Sequence, residues 1–177
     1  MKNRGLTFLE MLISLMIFSI AMLGYFQMFN VAINSQLRTK QEIIGANLAR
    51  ALMSEILVKE FKDPTEPLNP LGPDTGETNR ILYDDVDDYD DGSIENPPRT
   101  IDGTPMNGAG VTPDYSDFSR SAIVEYCEII DNPDPTPDDV LCGPAKPLSD
   151  YKKVTVTVTG SYLADITIDE LSVDSSP

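Results

Sequence analysis

The 177-residue sequence has no histidine and no tryptophan. Without histidine it lacks the commonest metal ligand and general base. Positive charge is scarce as well, with 13 Lys and Arg against 29 Asp and Glu and a net charge of −16. A chain of that sign repels nucleic-acid phosphates, which need Lys and Arg partners, so no nucleic-acid partner is expected. There are only two cysteines, Cys127 and Cys142, 15 positions apart. They form neither a CxxC redox pair nor a zinc pattern. In an oxidising compartment they can form a disulfide, which for a loop of this size adds roughly 3 kcal/mol in the chain-entropy model; two free thiols is the other reading. Also lacking are a phosphate loop, a nucleophile motif and a Cys–His pair. Paired carboxylates could serve a glycosidase, but nothing in the pattern supplies a cleft. The expectation is therefore no catalytic residue, no cofactor, no metal site, and a protein that is not an enzyme.

What is present is distributed unevenly. Residues 1–5, Met-Lys-Asn-Arg-Gly, are short and basic. Residues 6–26 are almost wholly apolar, and Glu10 is their one charge. That run matches the roughly 20 residues needed to span a bilayer core. Lys2 and Arg4 precede it, so the positive-inside rule puts the N-terminus in the cytoplasm and the remainder outside. Residues 27–62 contain no proline and one glycine, Gly45. Leu37, Ile44, Leu48, Leu52 and Ile56 recur in steps of seven and four, between polar Gln41, Glu42, Asn47, Arg50 and Glu55. This spacing predicts an amphipathic helix. Lys59 and Lys62 suit its last turn, and Asp63-Pro64 ends it. One helix over 6–62 is about 85 Å long at 1.5 Å per residue. Part of such a rod must be covered by lipid or by other chains.

Residues 63–177 read differently. Residues 63–79 are loop-like, 80–83 (Arg-Ile-Leu-Tyr) suggest a short strand, and 84–119 are punctuated by proline and glycine. Strands are expected over 121–130, 153–159 and 163–173, with a proline-rich loop over 131–150. In the second of these, Val154, Val156 and Val158 alternate with threonines, the mark of a half-buried strand. Gly160-Ser161 reads as a hairpin turn.

An ordinary secretory signal peptide also starts basic and continues apolar, and Ser19-Ile20-Ala21 imitates its cleavage site. The apolar core would then begin beside Glu10, and the helical pattern continues past Ala21 without a break. Instead, Arg4-Gly5-Leu6-Thr7-Phe8-Leu9-Glu10 resembles the prepilin-type cleavage and methylation motif of type IV pilins and type II secretion pseudopilins. The resemblance covers about the first 30 residues. It implies cleavage between Gly5 and Leu6 by prepilin peptidase, methylation of the new amine at Leu6, and a charge-pairing role for Glu10 in assembly. Family members more often carry phenylalanine at the Leu6 position. Many major pilins also have a proline along the membrane helix; Gln27 stands here, which favours a minor pilin or pseudopilin.

Residue pattern and resemblance together imply an α+β, pilin-like fold: a long N-terminal helix packed on a small antiparallel sheet with a Cys127–Cys142 disulfide. The expected organisation is leader 1–5, transmembrane segment 6–26, amphipathic continuation 27–62 and periplasmic β domain 63–177. Expected partners are other pilin or pseudopilin subunits, prepilin peptidase and, before assembly, inner-membrane lipid. The expected location is the inner membrane, single-pass, with the C-terminal domain periplasmic and the protein filament-associated after assembly. The alternative is a single-pass membrane-anchored binding module that never polymerises. Pilus, secretion pseudopilus and DNA-uptake filament remain open.

Residues 83–92 place six aspartates in ten positions, Tyr-Asp-Asp-Val-Asp-Asp-Tyr-Asp-Asp-Gly. The run resembles an acidic stretch of minor pilins of the mannose-sensitive haemagglutinin type. Calcium could relieve such crowding, but the D-x-D-x-D-G spacing is not met. The expectation is a solvated acidic loop.

Overall fold

A computed structural model describes residues 7–63, 71–108, 114–130, 139–143, 149–161 and 163–174. The fold is α+β, with one long helix, α1 (Phe8–Ile56), followed by four strands. The chain divides into two compact units, Met1–Lys40 and Gln41–Pro177.

In the first unit, apolar residues surround α1 on every side and stay exposed. The helix is long and apolar enough to cross a bilayer, with mean hydropathy 1.9 in its 18-residue window and none of that window buried. A helix satisfies its own backbone in lipid. Of the two serines in the span, Ser14 and Ser19, the second does likewise: Ser19 Oγ donates to the Leu15 carbonyl at 2.7 Å.

In the second unit, strands β1 (Phe118–Ile130), β2 (Asp139–Cys142), β3 (Tyr151–Gly160) and β4 (Leu163–Val173) form one antiparallel sheet in the order β2-β1-β3-β4. The expected alternation holds, with Val154, Val156 and Val158 fully buried. Leu48, Leu52, Met53 and Ile56 of α1 share one core with them, with Phe118, Ala122 and Val124 of β1, and with Tyr83, Val86 and Tyr89. Burying each such aliphatic side chain stabilises by about 1.5–3 kcal/mol. Gly45 marks a close approach of helix to sheet. A Cβ there would sit 2.7 Å from Leu163 Cδ2 and 3.1 Å from Ile166 Cδ1. Of the expected helical stripe, Leu48, Leu52 and Ile56 are buried and Ile44 is half-buried, while Leu37 is exposed.

Several details differ from the sequence reading. The helix ends at Ile56, not Lys62. Beyond it, Glu60 leaves to bridge Asp85 in parallel, with Glu60 N–H donating to the Asp84 carbonyl and Val86 N–H to the Glu60 carbonyl. Lys59 and Lys62 therefore serve tertiary partners and not the helix dipole: Lys59 Nζ donates to the Tyr83 carbonyl, and Lys62 Nζ pairs with Asp174 Oδ2 at 2.5 Å. Residues 80–83 form a turn, not a strand, because Arg80 is drawn to Glu55 at 2.8 Å and Leu82 N–H closes on the Asn79 carbonyl. β2 lies inside the expected 131–150 loop, held opposite β1 from Cys127↔Cys142 to Ile130↔Asp139. Finally, Gly160 ends β3 and pairs with Leu163 instead of opening a turn, and the register shifts between Val158 and Gly160.

Candidate functional site

Two places carry the unusual chemistry. The first is the acidic run, which is not a solvated loop. Asp85, Asp87 and Asp88 expose 3%, 5% and 2% of their surface. A short 3-10 turn, Asp87–Tyr89, folds the run onto itself. Asp85 Oδ1 accepts the backbone N–H of Asp87 at 2.8 Å and of Asp88 at 3.2 Å. Asp88 Oδ2 accepts those of Asp84 at 2.9 Å and Asp85 at 3.1 Å. Asp90 Oδ1 accepts from Val124 of β1 at 3.4 Å. Backbone donors thus replace the water that an acidic stretch normally keeps.

A cation completes the arrangement. Lys152 of β3 is fully buried, and its Nζ contacts Asp87 Oδ1 and donates to the Phe61 carbonyl. The rings of Phe61 and Tyr126 lie 4.7 Å and 5.4 Å from that nitrogen. Burial, a side-chain hydrogen bond with Asp87 and neighbouring carboxylates push Asp85 up to about 8. Burial and a hydrogen bond with Asp88 push Glu77 up to about 7. Carboxylate oxygens of Glu77, Asp84 and Asp88 converge within 4.8 Å of one another. Sequence reasoning missed Lys152, although a signal was present: it stands two residues before Val154 and so shares the inward face of β3.

The disulfide joins Cys127 of β1 to Cys142 of β2. The two residues are direct partners in the ladder, and both lie in the Gln41–Pro177 unit.

The second place is the start of α1. Gly5 and Leu6, the expected cleavage pair, lie outside the described residues, and Glu10 lies within them. Glu10 Oε2 accepts the Thr7 backbone N–H at 2.8 Å and the Thr7 hydroxyl at 3.0 Å, and Glu10 N–H reaches Thr7 Oγ1 at 3.4 Å. This reciprocal pattern is a capping box. Thr-x-x-Glu was legible in the sequence as such a cap, a local role that the charge-pairing reading passed over.

Residues 1–26 match the family model of the prokaryotic N-terminal methylation motif. The chain carries a type IV prepilin-like signal. No curated protein and no solved structure matches it. The apolar helix behind the motif fits a single-pass membrane anchor.

Proposed function

We propose that the chain is a minor type IV pilin-like subunit. It is cut by prepilin peptidase between Gly5 and Leu6, methylated on the new amine, and stored in the inner membrane with its C-terminal domain in the periplasm. From there it joins, or primes, a pilus or pseudopilus made with other pilin-like subunits. It performs no catalysis. The observation that carries this reading is the methylation motif at residues 1–26 opening a helix, Phe8–Ile56, whose last turns are part of the sheet domain's core. A subunit built this way offers its apolar segment to lipid when stored and to neighbouring helices when assembled. Oxidation of Cys127 and Cys142 agrees with a periplasmic domain.

The test is the intact mass of the protein recovered from membranes. Loss of residues 1–5 with gain of one methyl group is expected. An intact, unmethylated N-terminus would favour the anchored module that never polymerises. Gly5→Trp should leave precursor in the membrane, and mature protein of normal size from that variant would remove the cleavage assignment. Enrichment in sheared filaments, relative to the membrane pool, tests assembly separately.

A further inference from the structure

The contact between Lys152 and Asp87 has the makings of a covalent bond. The amine and the carboxyl touch, and both are buried. Asp85, also buried, shares a side-chain hydrogen bond with Asp87. Phe61 and Tyr126 place aromatic rings around Nζ. Among the described residues, further charged or titratable neighbours are Asp88, on the same turn, Asp90, just after it, and Tyr126, on β1. In water an ammonium and a carboxylate do not condense, because both ions are solvated and the amine is protonated. Condensation requires that the ammonium first pass one proton to the carboxylate it touches, and the contact supplies the path for that transfer. Burial also leaves Asp85 protonated at neutral pH, at about 8, so it can hydrogen-bond the Asp87 carbonyl oxygen and polarise it.

We propose that Lys152 Nζ and Asp87 Cγ are joined by an isopeptide bond, formed within the folded chain with Asp85 as the proton relay. The neutral amine attacks Asp87 Cγ, and the carbonyl electron pair moves onto oxygen, which Asp85 protonates. The deprotonated Asp85 takes a proton from nitrogen, gives it to a departing hydroxyl, and recovers its own proton from the other oxygen as the C=O bond re-forms. The C–N bond forms, the C–O bond breaks, and one water leaves. Asp85 ends as it began, and no oxidant, reductant or co-reactant is consumed. The bond ties the 3-10 turn to β3 across 65 positions of sequence. The inference is independent of whether the subunit polymerises.

The experiment is mass spectrometry of the full chain, purified in detergent, then reduced and denatured. The parent is expected to be lighter than its processed composition by one water. Its digest should contain a branched peptide linking the segment bearing Asp87 to the segment bearing Lys152. Lys152→Arg keeps a positive charge facing Asp87 but cannot form this amide, so it should recover the full mass. Asp85→Asn should leave mostly unlinked chain; complete linkage there would remove Asp85 from the mechanism. Full mass in the parent, with separate linear peptides, would overturn the proposal and leave an ordinary buried ion pair. So would a water lost equally in Lys152→Arg, since cyclisation at Asp91-Gly92 or Asp102-Gly103 gives the same mass without a branch.

Discussion

At the scale of the residue, Glu10 has two roles that can be separated. The capping box needs only an acceptor reaching back to Thr7, which glutamine provides as well as glutamate. Pairing with an amine needs the charge, and that pairing strengthens in a low-dielectric helix bundle. Glu10→Gln should therefore keep the helix start and still be depleted from sheared filaments, as Glu10→Ala should be. Filament incorporation of Glu10→Gln at the parent's level, with Glu10→Ala excluded, would reduce Glu10 to a helix cap. Glu77 makes a different prediction. Its carboxyl is raised to about 7, first by burial and then by Asp88. A raised carboxylate stabilises the fold fully below its ordinary value, and the contribution is lost as pH rises through the folded value. The melting temperature should fall between about pH 5 and about pH 8. Glu77→Gln, which keeps an acceptor for the Asp74 N–H, should flatten that slope. An unchanged slope in the variant would assign it to other groups.

At the scale of the element, the fit of α1 to the sheet turns on Gly45. Leucine at this position would drive a side chain into Leu163, Ile166 and Val158. Overpacking of this kind typically costs about 1–3 kcal/mol, so Gly45→Leu should melt earlier. Gly45→Ala should be close to neutral: the nearest atom it meets is the movable tip of Leu163, and alanine gains about 1 kcal/mol in helix propensity. A Gly45→Leu variant as stable as the parent would show that helix and sheet are less closely packed.

Regular elements were the legible ones, because their signal is local. β4 has the bounds read from its sequence, and β3 follows from Val154, Val156 and Val158. The acidic turn was not legible. Its compensation comes from backbone amides, which no side-chain pattern displays, and from Lys152, 65 residues away from Asp87. Likewise the helix end was misread, because the Glu60–Asp85 bridge that draws the chain away is a tertiary contact. β2 was hidden because four residues, Asp139–Cys142, are too few for alternation to register.

At the scale of the whole molecule, the disulfide closes the β1–β2 edge of the sheet. Cross-linking residues 15 apart removes roughly 3 kcal/mol of loop-closure freedom from the unfolded chain. Reductant, or Cys127→Ser with Cys142→Ser, should lower the melting temperature by several degrees. Equal melting with and without reductant would deny the bond a stabilising part.

The same clasp has a use in protein engineering. Residues 131–138 are bounded by Ile130↔Asp139, and the ladder continues to the bonded Cys127↔Cys142 pair. Lengthening a connection is cheap once its ends are pinned, about 0.6 kcal/mol for each doubling. An epitope or reactive tag spliced between the two strands should thus leave the sheet's melting nearly unchanged, because the paired and bonded ends on either side are kept.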